Sequence, residues 1–184
     1  MTFEQLARQG RTVDAATTEL MMYDKLRQIR KASIKAAFAG SEVLRHRNEY
    51  VDTVNKVDYY DDANATTSLA TWFTFESLNK KVVWIAGDGT DDSDYVELMP
   101  MVNKYVKALV CVGKNAPALH EIFGNVLKGR IFDADDLDAA VISATHIATA
   151  GDTVLFSPSC DIDDRYETTA ERGERFKADV NRMK

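Results

Sequence analysis

Lys81–Tyr95, KVVWIAGDGTDDSDY, decides the fold. It opens on Val82-Val83-Trp84-Ile85-Ala86, an unbroken β-branched and aromatic run that suits a strand buried on both faces. At Gly87 it breaks into a short polar loop, and a helical pattern begins at Val96. A buried strand, a glycine-containing loop and a helix are half of a βαβ unit. In an open parallel sheet ligands sit beyond the carboxyl ends of the strands, so this loop marks the expected position of a site. The loop's charge does not suit an anionic ligand. Asp88, Asp91, Asp92 and Asp94 crowd it with no Lys or Arg among them, whereas a phosphate or carboxylate loop offers cations or bare glycine amides.

The alternation continues on both sides. Upstream, Glu49–Val54 and Val57–Tyr60 read as a hairpin around Asn55-Lys56. The polar loop DDANATT (61–67) then leads into a helix over Ser68–Leu78, with Leu69, Trp72, Phe73 and Phe75 on and around its buried side. Downstream, the pattern predicts a helix over Val96–Tyr105, a strand at Ala108–Val112 and a helix over Pro117–Phe123. An extended piece at Gly129–Phe132, a helix from Asp135 to about Ala150, a strand at Thr153–Phe156 and a charged helix over Thr169–Arg182 follow. Strands alternating with helices predict a three-layer α/β domain with a mostly parallel sheet and right-handed crossovers. Before it, residues 1–12 carry no strong signal and a helical pattern begins at Asp14, with Leu20, Met21, Tyr23, Leu26 and Ile29 at helical spacing, a second helix over Lys31–Phe38 and a stop at Gly40. The expected division is a helical segment 1–44 and an α/β domain 45–184.

Bulk properties narrow the function classes. With 184 residues, 45% hydrophobic and 28% charged, the chain can build a core without disulfides or structural metal. A net charge of -6 argues against nucleic acid or an anionic membrane as partner. The first residues show no signal-peptide pattern, and no apolar run approaches the roughly 18 residues of a membrane span. The expectation is a cytoplasmic protein in which Cys111 and Cys160 are buried free thiols. The aspartate cluster lacks EF-hand spacing and reads as a solvated loop that caps the following helix. His120 and His146 lie on separate helices with no Cys or His at metal spacing, so no metal is expected. Ser157 lacks a G-x-S-x-G context and Cys160 reads as a packing residue.

Six separated segments together carry a resemblance: His46-Arg47-Asn48-Glu49, DDANATTSLATWFTFESL, VVWIAGDGTDDSDYVELMP, VKALVCVGK, GDTVLFSPSC and ERGERFK. In this order and spacing they resemble the Rossmann-like C-terminal domain of the Mur ligases, in particular the D-glutamate-adding branch. The likeness spans roughly residues 10–184 and makes the first helices similar to the end of that family's central ATPase domain. It implies an ATP- and Mg2+-dependent, amide-forming activity in peptidoglycan-precursor synthesis, with Arg47, Asp62 and Thr66 as nucleotide-binding residues.

The departures fall on the ligand positions. No G-x-x-x-x-G-K-[ST] occurs, so no phosphate cradle of that type is present in these residues. The family's lysine in the loop after the hairpin is Asn64 here. Its carboxylate-gripping lysine in the glycine loop is Asp91, which turns an attraction of ~1 to 4 kcal/mol into a repulsion of similar size. The serine that takes the D-glutamate side chain is Ile162, and the Lys-Asn pair that follows is Glu167-Thr168. The two asparagines of the upstream nucleotide motif are absent from Thr12–Ala16. Gly87, Gly113, Gly151, Ser157-Pro158 and Arg172-Gly173, which shape the scaffold, are retained. The expectation is therefore a non-catalytic binding or interaction module with no catalytic residue and no cofactor. Its alternative is one part of an ATP-dependent D-glutamate-adding ligase completed by another chain. Arg47 reads as a junction arginine paired with an acid such as Glu49. A homodimer through residues 14–40 and a ligase or cell-wall enzyme as partner are the expected associations.

Overall fold

The computed structural model describes residues 45–90 and 93–184. The helices expected before residue 45, the proposed dimer segment 14–40, and Asp91 all lie outside the described residues. Six strands form one sheet in the order β1-β2-β6-β3-β4-β5. They are β1 (Glu49–Val54), β2 (Val57–Asp61), β3 (Val82–Gly87), β4 (Val106–Val112), β5 (Ile131–Ala134) and β6 (Thr153–Phe156). Only β1 runs antiparallel, paired with β2 through the hairpin; the other pairs are parallel. The hairpin turn places Asn55 at φ 52° and Lys56 at φ 66°, the doubly left-handed turn that matches strand twist.

Among the described residues the α-helices are α1 (Ser68–Leu78), α2 (Met99–Tyr105), α3 (Ala116–Leu127), α4 (Leu137–Ile147) and α5 (Thr169–Arg182). β3 shows how the layers divide. Val83 and Ile85 point into a core with Leu137, Ala140, Val141 and Ala144 of α4 and Phe176 and Val180 of α5. Val82, Trp84 and Ala86 point the other way, against Trp72 and Phe75 of α1, Val102 of α2 and Phe123 of α3. The side-chain period of two in a strand buried on both faces produces this division. Chain direction explains it: β2→β3→β4→β5 advances across the sheet with α1–α3 on one face, and the return to β6 carries α4 on the other, as right-handed crossovers require. The strand and helix alternation is thus as the sequence predicts.

Several boundaries differ from the expectation. The strand expected at Ala108–Val112 starts at Val106, the helix expected over Pro117–Phe123 runs Ala116–Leu127, and the extended piece expected at Gly129–Phe132 is Ile131–Ala134. Two further elements differ for a local reason. The stretch expected as one helix over Val96–Tyr105 begins as a 3-10 turn, Tyr95–Leu98, and becomes α-helical only at Met99. Pro100 occupies the first turn of α2, where its missing N–H costs nothing. α4 stops at Ile147 instead of about Ala150, because the Asp152 carboxylate takes the Thr149 amide at 2.6 Å and draws the chain into a turn. Among the described residues no helix is long and apolar enough to cross a membrane.

Candidate functional site

The strand order brings the carboxyl ends of β2, β6 and β3 side by side, so three loops meet at one rim. Their backbones are tied to one another. Ser159 N–H donates to the Ala65 carbonyl at 2.9 Å, Gly87 N–H to Pro158 at 3.0 Å and Thr90 N–H to Asp161 at 2.9 Å. Gly87 has φ +89°, and a Cβ there would lie 2.7 Å from the Val112 carbonyl oxygen; only glycine fits. A Cβ on Gly89 would overlap the Asp161 carbonyl.

Arg172, from the first turns of α5, passes beneath all three loops and is fully buried. Its guanidinium donates to the carbonyls of Ala63 (2.8 Å), Cys160 (3.2 Å), Asp88 (3.3 Å) and Asp161 (3.4 Å). Next to it, Gly173 leaves room for His46, whose ring would overlap any Cβ at that position. His46 Nδ1 bonds Asp61 at 2.6 Å and its amide donates to Glu49 at 2.7 Å. Glu49 also receives Lys177 Nζ at 2.8 Å on both oxygens. Burial works against Glu49's charge, yet these donors hold its carboxyl below the usual range.

Of the residues singled out from sequence, Asp62, Asn64, Thr66 and Ile162 have hydrogen bonds within the protein itself, and Asp91 lies outside the described residues. Asp62 is fully buried and accepts from Ser157 Oγ (2.7 Å), Thr74 Oγ1 (2.7 Å) and the Asn48 amide (3.1 Å). Burial pushes its carboxyl up to about 6, against these donors and the charge of Arg47. Asn64 donates to the Arg45 carbonyl at 2.9 Å and accepts from Thr169 Oγ1. Half-buried Thr66 donates its amide to the Asn64 carbonyl at 3.1 Å. Half-buried Ile162 donates its amide to Asp161 Oδ1 at 2.8 Å.

The aspartate loop corrects one expectation. Asp88 is not solvated: it is fully buried and receives Arg165 Nη1 at 2.7 Å and Tyr166 Oη at 2.7 Å. Its carboxyl is raised by burial, opposed by Tyr166, Arg165 and Arg172. Asp94, at the start of the 3-10 turn, makes no side-chain cap. Arg165 also grips Asp163, through Nε at 2.9 Å and Nη2 at 3.1 Å, and holds that carboxyl below its ordinary range. The loop therefore has a cation after all, supplied 77 residues downstream. Sequence reading missed Arg165 and Tyr166 because the only local signal was their place in a polar turn.

Cys111 and Cys160 are both buried free thiols. Burial raises Cys160 to about 11 and Cys111 to about 12, with Asp133 adding to the latter. His120 has a sulfur neighbour that helix-by-helix reading could not reveal: Cys111, together with Asp133.

A doubly wound sheet with its loops joined at the strand ends defines a Rossmann-like domain. The family model described as Mur ligase, glutamate ligase domain, matches residues 46–160, and the chain belongs to that family. The UDP-N-acetylmuramoylalanine–D-glutamate ligase of Christiangramia forsetii is 33% identical over 183 residues, covering 100% of this chain and 41% of the relative. That of Chloroherpeton thalassium is 38% identical over 152 residues, covering 83% of this chain and 32% of the relative. The chain thus spans well under half the length of either. The solved folylpolyglutamate synthase of Mycobacterium tuberculosis, complexed with ADP, shares the fold at a TM-score of 0.56 and 14% identity. That likeness covers 74% of this chain and 32% of the synthase.

Proposed function

We propose that this domain is a binding or interaction module related to peptidoglycan-precursor synthesis, with the ligand-gripping chemistry of its family replaced. One observation carries the reading. Asn64 stands where the resemblance implies a lysine, and both ends of its amide are bonded within the domain, to Arg45 and Thr169. The chemistry of the remaining donors agrees. Asp62 is enclosed by three protein donors, Ile162 offers no polar side-chain atom, and Asp91 carries the wrong charge for a carboxylate. At these positions no cation or free donor faces an anionic ligand, so this reading assigns neither ATP nor Mg2+ as a cofactor. Function follows the site rather than the fold, and a cytoplasmic scaffold whose partner is a ligase or another cell-wall enzyme suits what remains. Self-association through residues 14–40 belongs to the same reading.

A second reading has its own support. Arg47 lies close enough to act electrostatically on Asp62, and Thr66 is retained beside it. With 33% identity along the whole chain to a D-glutamate-adding ligase, this favours a half-site for ATP completed by another chain. Calorimetric titration of the purified protein with Mg-ATP, D-glutamate and UDP-N-acetylmuramoylalanine separates the two. Absence of heat with all three is the expected result. Saturable heat with Mg-ATP that disappears in Arg47→Ala overturns the first reading in favour of the second.

A further inference from the structure

We propose that Cys111, His120 and Asp133 form a binding site for one borderline divalent cation of the zinc class, at the β5 edge of the sheet and apart from the strand-end rim. The three donor atoms, a thiol sulfur, an imidazole nitrogen and a carboxylate oxygen, lie within 4.8 Å of one another. The fold explains why they meet. In the parallel β4–β5 pair, Cys111 stands opposite Asp133, so their side chains share one face. α3 covers that face with Leu119 and Phe123, packed in the same core as Cys111. His120 follows Leu119 and turns toward the edge, where its Nε2 reaches Asp133 Oδ1 at 2.8 Å.

The donor set selects the class of ion. One sulfur, one nitrogen and one oxygen suit Zn2+ or Co2+, and a thiol excludes the all-oxygen shells of Ca2+ and Mg2+. Bond lengths near 2.0–2.3 Å put tetrahedral donors roughly 3.3–3.7 Å apart, so a bound ion needs only small side-chain shifts. Three protein ligands leave a fourth position open. It faces water, because the His120 and Asp133 side chains are 43% and 64% exposed while the sulfur is buried behind them. Among the described ion pairs Asp133 has no Lys or Arg partner, so a cation would not have to displace one. That separates this cluster from His46, Glu49 and Asp61, whose oxygens also converge. There Lys177 Nζ already supplies the positive charge, 2.8 Å from Glu49 and 3.9 Å from Asp61.

The test is titration of the chelator-treated protein with CoCl2, read by absorbance, followed by ZnCl2. One Co2+ per chain should bind with a thiolate-to-cobalt charge-transfer band in the near ultraviolet and be displaced by Zn2+. Cys111→Ser should remove the band, whereas Cys160→Ser should leave it unchanged. His120→Ala and Asp133→Asn, both at exposed positions that do not endanger folding, should weaken binding by about tenfold or more. Two results would overturn the site: no charge-transfer band with CoCl2, or Co2+ affinity unchanged in both His120→Ala and Asp133→Asn. Either would leave His120–Asp133 as a surface pair over a packing cysteine.

Discussion

Arg172→Met should loosen the rim more than it loosens the core. Methionine roughly keeps the volume but removes every donor. Two of the four guanidinium bonds, to Ala63 at 2.8 Å and Cys160 at 3.2 Å, have ordinary length, while those to Asp88 and Asp161 are at the geometric limit. Charge-assisted bonds contribute about 1.5–3 kcal/mol each, so the two good ones account for roughly 3–6 kcal/mol. Part of this is offset. A buried guanidinium carries a desolvation cost that methionine does not, and the Arg172 Nε has no acceptor, itself a cost of about 1–3 kcal/mol. The net loss should be about 2–4 kcal/mol, a large share of the roughly 5–15 kcal/mol typical of a whole domain.

Urea denaturation measures the global term: the midpoint should fall with the slope unchanged. Amide hydrogen exchange measures where the loss is felt. Thr90 and Ser159, whose amides cross between the rim loops, should lose protection ahead of Ile85 or Val110 in the central strands. A midpoint shift equivalent to less than about 0.5 kcal/mol, a size common for surface substitutions, would refute the idea that Arg172 holds the three loops together. So would a uniform loss of protection across sheet and loops.

Three further outcomes are expected. Because burial raises the Asp62 carboxyl to about 6, the folded state binds the extra proton between its unfolded and folded values. Stability from this group is therefore greatest at low pH and falls as pH rises from about 4 to about 6, by about 1–3 kcal/mol. Asp62→Asn should flatten that portion of the profile, read as the wild-type-minus-variant difference in urea midpoints across the range. Gly173→Ala places a methyl in the His46 ring and should cost about 1–3 kcal/mol, measured by thermal or urea unfolding. Lys56→Gly should stabilise by about 1 kcal/mol, since an exposed lysine at φ 66° gives way to a residue that adopts that angle freely; the urea midpoint checks it.

What was legible from sequence depended on range. Val82–Ala86 could be read because a strand buried on both faces needs no partner information to show its apolar run. The Asn55-Lys56 turn could be read because strand spacing flanks it. The start of α2 and the end of α4 were misjudged, since a proline in a first turn and an aspartate capturing a nearby amide shift boundaries without changing periodicity. Asp88 was misread for a different reason. A local window of four aspartates looks solvated, and the side chains that make its burial tolerable, Arg165 and Tyr166, follow 77 and 78 residues later. The Cys111–His120–Asp133 cluster was invisible for the same cause, as it depends on the β4–β5 register.

The rim residues shared with the family have structural reasons of their own. Gly87 is required by the Val112 carbonyl, Gly173 by the His46 ring and Arg172 by backbone carbonyls of all three loops. Ser157 is required by the buried Asp62. Each of these residues has its reason inside the fold, so their retention says nothing about a ligand. A working ligand site needs the reverse, polar groups held in place but left uncommitted until the ligand arrives. At position 64 the side chain is committed, and a phosphate or carboxylate approaching it would have to break the bonds to Arg45 and Thr169 while gaining no positive charge in return. The same geometry that keeps the loops joined thus works against the family's chemistry at that position. For this reason, the retained glycines and arginine cannot be counted as support for activity.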